Sequence, residues 1–72
     1  MILQIKVIGK NKFDGATRVI ATDGHGFNYE GGINKDMDDA IAGREITYFK
    51  VEINENGVEV GEEVTESEWN NK

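Results

Sequence analysis

Residues 44–64 read REITYFKVEINENGVEVGEEV, and this stretch decides the fold. Two runs rich in β-branched and aromatic residues flank Asn56-Gly57. Such a pair between such runs is the strongest short-range signal for a β-hairpin, because Asn and Gly tolerate the positive φ of a tight type I′ turn. The turn predicts Glu55 opposite Val58, Ile53 opposite Val60, Lys50 opposite Glu63 and Phe49 opposite Val64. Phe49, Val51, Ile53, Val58, Val60 and Val64 then share one face, and Tyr48, Lys50, Glu52, Asn54, Glu59, Gly61 and Glu63 the other. Glu55 and Glu62 fit this register poorly, since both fall on the apolar face. A slip of one residue would set Ile53 against Glu59 and mix the faces, so the pattern specifies its register.

Upstream, Ile2 to Ile8 alternates with the period of a half-buried strand, with Leu3, Ile5 and Val7 inward. A turn-rich basic segment, Gly9 to Gly15, leads to a second strand over Thr17 to Thr22. Asp23-Gly24 marks another turn, and Gly26 to Glu30 fits a short third strand that Gly31-Gly32 breaks. Asn34 to Gly43 is the one credible helix. Asn34 or Asp36 caps it, acids crowd its first turn, Met37, Ala40 and Ile41 share a side, Gly43 ends it and Arg44 suits its negative end. Thr65-Glu66-Ser67-Glu68 has the form of a capping box, with Trp69 behind it.

The fold expected is α+β: a small antiparallel sheet of about five strands in the order β-β-β-α-β-β with one short helix. The alternative is a small OB-like or SH3-like β-barrel, since five strands with a helix between the third and fourth also follow the element order of the OB fold. Residues 1–64 form the expected globular domain, and residues 65–72 a C-terminal tail able to make one helical turn around Trp69.

The chain has 72 residues, no cysteine and no proline, and a net charge of −6. One domain of this size buries a small core, so a homo-oligomer is one route to added stability. Residues 1–44 carry six acids and six bases, whereas residues 45–72 carry eight glutamates against Lys50 and Lys72, and so hold the whole −6. An acidic half disfavours nucleic acid and favours a protein with a basic surface. No apolar run reaches the ~18 residues of a membrane span, and the N-terminus lacks the form of a secretory leader, so a cytoplasmic protein is expected.

Asn34, Asp36 and Asp38 recur at alternate positions, followed by Ile41 and Glu45. The spacing resembles the twelve-residue calcium loop of the EF-hand family, which implies ligands at Asn34, Asp36, Asp38 and Glu45. Asp39 stands where that loop turns on Gly, and the same acids also suit the first turn of a helix. His25 is the single histidine and Ser67 the single serine, so neither has the companions of a nucleophilic site, and His25 reads as an exposed turn residue. No enzymatic constellation and no cofactor motif is present in the sequence. Lys6, Lys10, Lys12 and Phe13 mix charge with an aromatic ring, as single-strand nucleic-acid binders do.

The leading expectation is a small acidic, non-enzymatic protein-binding module, of the kind that inhibits by imitating nucleic acid as acidic inhibitors of mobile elements do. The residues expected to meet the partner are Tyr48, Lys50, Glu52, Glu59, Glu63 and Trp69. Trp69 also suits a second role, folding back to cover a small core.

Overall fold

The computed structural model describes residues 1–71. Five strands and two helices follow in order: β1 (Ile2–Lys10), β2 (Thr17–Thr22), β3 (Asn28–Gly32), α1 (Lys35–Ile41), β4 (Ile46–Asn54), β5 (Gly57–Val64) and α2 (Glu66–Asn70). The strands form one antiparallel sheet in the order β3-β2-β1-β4-β5. The fold is therefore the small α+β sheet expected. β3 and β5 are edges that do not meet, so the sheet is open and the barrel alternative does not hold.

Alternation sorts the residues onto two faces. Leu3 lies opposite Phe49, Ile5 opposite both Thr47 and Ala21, and Val7 opposite Val19. α1 lies on this face, where Ile41 joins Leu3, Ile5, Val19, Ala21, Phe49 and Val51 in one core cluster. Met37, Phe27 and Ile33 pack against its margin. Seven residues make too few intrahelical bonds to persist alone, so α1 is held by this packing and by its ends. Asn34 caps it, its Oδ1 accepting from the Met37 amide at 2.8 Å. The left-handed residue that ends α1 is Ala42 (φ 54°), one position earlier than expected, and Gly43 follows at φ 75°. Arg44 closes the helix, donating to the Ile41 carbonyl at 2.8 Å and the Ala40 carbonyl at 2.7 Å.

The hairpin departs from its expected register in two places. The turn residues are Glu55 and Asn56, with Asn54 opposite Gly57, Ile53 opposite Val58 and Val51 opposite Val60. Gly57 alone takes positive φ (117°), and the Asn54 Oδ1 accepts from the Asn56 amide at 2.9 Å. An Asx turn with glycine closing it thus replaces the type I′ turn. Because the shift is two residues, Val51, Ile53, Val58 and Val60 still share the α1 face. The second departure is a bulge in β5. Two residues, Gly61 and Glu62, lie between Val60 and Glu63, while Lys50 alone lies between Phe49 and Val51 on β4. The extra residue releases Glu62 from the apolar face and pairs Phe49 with Glu63 and Tyr48 with Val64.

Two consequences are testable. Ala at position 57 would have to adopt a φ of +117°. Gly57→Ala is expected to cost about 1–2 kcal/mol, measurable by urea denaturation. Thr47 is 2% exposed, and its Oγ1 has no hydrogen-bond partner among the described residues. Thr47→Val removes an unpaired buried hydroxyl at nearly constant volume, and should leave stability unchanged or raise it by about 1 kcal/mol.

Candidate functional site

The sheet face opposite α1 carries Gln4, Lys6, Ile20, Ile46, Tyr48, Lys50 and Glu52, as the pairings of β1 with β2 and β4 require. α2 packs over part of it, against β1 and β4. Thr65 caps α2, its Oγ1 accepting from the Glu68 amide at 3.2 Å, so the predicted capping residue starts a real helix. The Trp69 ring lies 5.6 Å from that of Tyr48, tilted by 35°. Tyr48 lies opposite buried Val64 on this face. Tyr48 and Trp69 are half-buried there, on the sheet face away from the core cluster.

Beyond α2, toward the hairpin turn, the same face is acidic. Glu52 and Glu59 lie directly opposite each other on β4 and β5. Like charges so placed repel and destabilise a sheet. Neither has an ion-pair partner among the described residues. The bulge delivers Glu62 to this region, where Lys50 Nζ lies 3.3 Å from its Oε1. Glu52, Glu59, Glu62 and Lys50 line a groove of about 480 Å3 with Met1 and Ile2 beside them. Gly61 lines it as well, and lets the Lys50 carbonyl come close, since a Cβ there would stand 3.3 Å from that oxygen.

Glu63 is not part of this groove. The bulge turns it to the α1 face, where Arg44 binds it through both terminal nitrogens, one at 2.8 Å. The Arg44 hydrogen bond holds the Glu63 carboxyl below its usual range, and Glu63 in turn raises Arg44. Of the six residues expected to contact a partner, Lys50, Glu52 and Glu59 come together, Tyr48 and Trp69 are engaged with each other, and Glu63 faces away. Glu62 was missed. The sign in the sequence was its misfit on the apolar face beside Gly61, the signature of a bulge.

Of the calcium-loop residues, Asn34 and Asp38 are engaged within the fold. α1 runs straight through the stretch that such a loop would coil. Asn34 caps the helix, and the Asp38 Oδ1 accepts from the buried Thr17 hydroxyl at 2.6 Å. Among the described residues no three acidic, histidine or cysteine side chains converge on a metal position. The basic set is divided as well. Lys6 lies on the face away from α1, while Lys10 pairs with Thr17 on the α1 face, past a bulge between Val7 and Gly9. Lys12 and Phe13 occupy the β1–β2 loop, where Phe13 is 99% exposed. His25 is exposed in the β2–β3 turn. Asp23 shapes that turn by accepting from the His25 amide at 2.7 Å and the Phe27 amide at 3.0 Å. The His25 bond is the main cause that lowers the Asp23 carboxyl pKa.

No helix among the described residues is long and apolar enough to cross a membrane. No protein family, curated protein or solved structure matches the chain.

Proposed function

We propose that the chain is a small acidic, non-enzymatic binding module whose groove at Glu52, Glu59 and Glu62 takes basic side chains of a partner protein. The observation that carries this reading is the directly opposed, unneutralised Glu52–Glu59 pair beside the groove. A sheet bears such a pair at a cost, and a cation placed between the two carboxylates removes it. An arginine guanidinium suits the place best, since its fork can donate to two carboxylates at once and is weakly hydrated. Ile2 and Met1 beside the groove offer apolar surface to the arginine stem. A protein that handles nucleic acid presents such arginines for phosphates, and spaced carboxylates on a strand compete for them.

The test is a fluorescence titration with a labelled oligo-arginine peptide at low salt. Saturable binding is expected, weakening as salt rises. Glu52→Gln with Glu59→Gln should abolish most of it, whereas Asp36→Asn with Asp39→Asn, equal in charge removed, should leave it nearly intact. Equal losses from both pairs would mean that net charge alone attracts the peptide, and the groove reading would fail.

A further inference from the structure

The β1–β2 loop holds a phenylalanine in water and is built to keep it there. Phe13 is 99% exposed, whereas the other large apolar side chains at the surface are 39% to 53% exposed. The Asn11 amide donates to the Ala16 carbonyl at 2.8 Å, and the Gly15 amide to the Asn11 carbonyl at 2.9 Å. The Asn11 Oδ1 accepts from the Phe13 amide at 2.7 Å. These bonds close the loop on its own backbone, so the ring is presented to solvent instead of folding against the sheet. Lys10 and Lys12 flank it, neither with an ion-pair partner among the described residues. The one acid of the loop, Asp14, accepts from the Ala16 amide at 2.9 Å. An aromatic ring with free cations beside it has the composition of an interface anchor and its polar rim.

We infer that this loop docks in the acidic groove of a second copy of the chain, Phe13 entering the groove and Lys10 and Lys12 meeting its carboxylates. The inference rests on the reading of that groove as a site for cations. Glu52, Glu59 and Glu62 supply carboxylates for the two lysines, and Met1, Ile2 and Val60 supply apolar lining for the ring. The two ends of one molecule thus carry both halves of the contact. The loop cannot reach the groove of its own chain. Met1 and Ile2 stand at the start of β1 and the loop follows its end, nine residues or about 30 Å away. Such a contact is heterologous and joins copies head to tail. The net charge of −6 per copy does not forbid it. Residues 1–44 sum to zero, so the docking end brings no net negative charge to the groove. The acidic end of the docked copy stays about 30 Å from the groove its loop fills, beyond the ~10 Å screening length at ordinary ionic strength, whereas the lysine–glutamate pairs are in contact.

Sedimentation equilibrium tests this on the whole chain, up to about 100 µM. The mass should rise with concentration to at least twice the 8.0 kDa of one chain. Phe13→Ser, at a fully exposed position, and Glu52→Gln with Glu59→Gln in the groove should each weaken association at least about tenfold. Mixed in equal amounts, the two variants should form a dimer and nothing larger, because one intact loop and one intact groove remain between them. A mass of 8.0 kDa throughout, association that either variant leaves unchanged, or a mixture that fails to recover it would each overturn the inference. Phe13→Ser keeps its groove and should bind oligo-arginine as the parent does. Oligo-arginine binding without self-association would overturn this inference alone. Recovery in the mixture without oligo-arginine binding would instead overturn the arginine reading of the groove and leave the loop contact standing.

Discussion

Phe49→Ala should come close to unfolding the protein. Phe49 is 4% exposed, lies opposite Leu3 and shares the core cluster with Ile41 and Val51. Among the described residues it is the one buried aromatic side chain. Truncating a buried phenylalanine costs about 3–5 kcal/mol, from lost transfer energy and the cavity left behind. A chain of 72 residues is worth about 4–11 kcal/mol in all, at the usual stability per residue. The expected outcome is a fall in Tm of about 15 °C or more, with a matching loss of the urea midpoint. Ile53→Ala on the same face, half-exposed, should cost about 1 kcal/mol. Equal effects from the two changes would mean that the core is not where Leu3, Phe49 and Ile41 place it.

The second large effect is at the acidic groove, where stability and binding should move in opposite directions. Glu59→Lys converts the opposed Glu52–Glu59 pair from repulsion to attraction. Cross-strand charge pairs of this kind are worth about 0.2–1 kcal/mol, so the variant should melt slightly higher than the parent. The same change places an ammonium where the arginine of a partner would sit. Oligo-arginine affinity should fall at least about tenfold, about 1.4 kcal/mol. A variant that gained stability and kept its affinity would show that the opposed carboxylates are not the contact. One that lost both would point to a distorted hairpin, visible as a changed urea m-value.

The hairpin, β2 and α1 were legible because local chemistry fixes them. Asn-Gly needs a turn, Thr17 to Thr22 is β-branched, and Asn34 and Arg44 suit the two ends of a short helix. The bulges were not legible, because an unpaired residue is placed by cross-strand packing rather than by local propensity. At β5 the consequence was large: Glu62 entered the groove, Glu63 left it, and Val64 moved under Tyr48. The turn moved by one residue, and the register with it by two, because the Asn54 side chain makes the bond that starts it. Gly31-Gly32 read as a break yet extends β3. Glycine at 31 leaves room for the Tyr29 ring, whose hydroxyl oxygen lies 2.5 Å from where a Cβ would be and donates to the Gly32 carbonyl at 3.2 Å. That use of glycine depends on a neighbour's rotamer, which no sequence pattern displays.

The candidate site was legible in charge and not in geometry. The concentration of glutamate after residue 44 pointed to the hairpin, and Lys50, Glu52 and Glu59 meet there. Tyr48 and Trp69 had the composition of partner anchors, but a small sheet with a second exposed face uses them to hold α2. The acids of residues 34–45 match a calcium loop in spacing, but the chain there is helical, with Asn34 capping α1 and Asp38 accepting from Thr17.

The most direct measurement is the amide chemical-shift map of the isotopically labelled protein titrated with oligo-arginine peptide. The groove reading predicts that the shifts concentrate at Lys50–Asn54 and Val58–Glu62, and vanish in Glu52→Gln with Glu59→Gln. Shifts centred on Asp36–Asp39 or on Glu66 and Glu68, or spread evenly over the acidic surface, would contradict it.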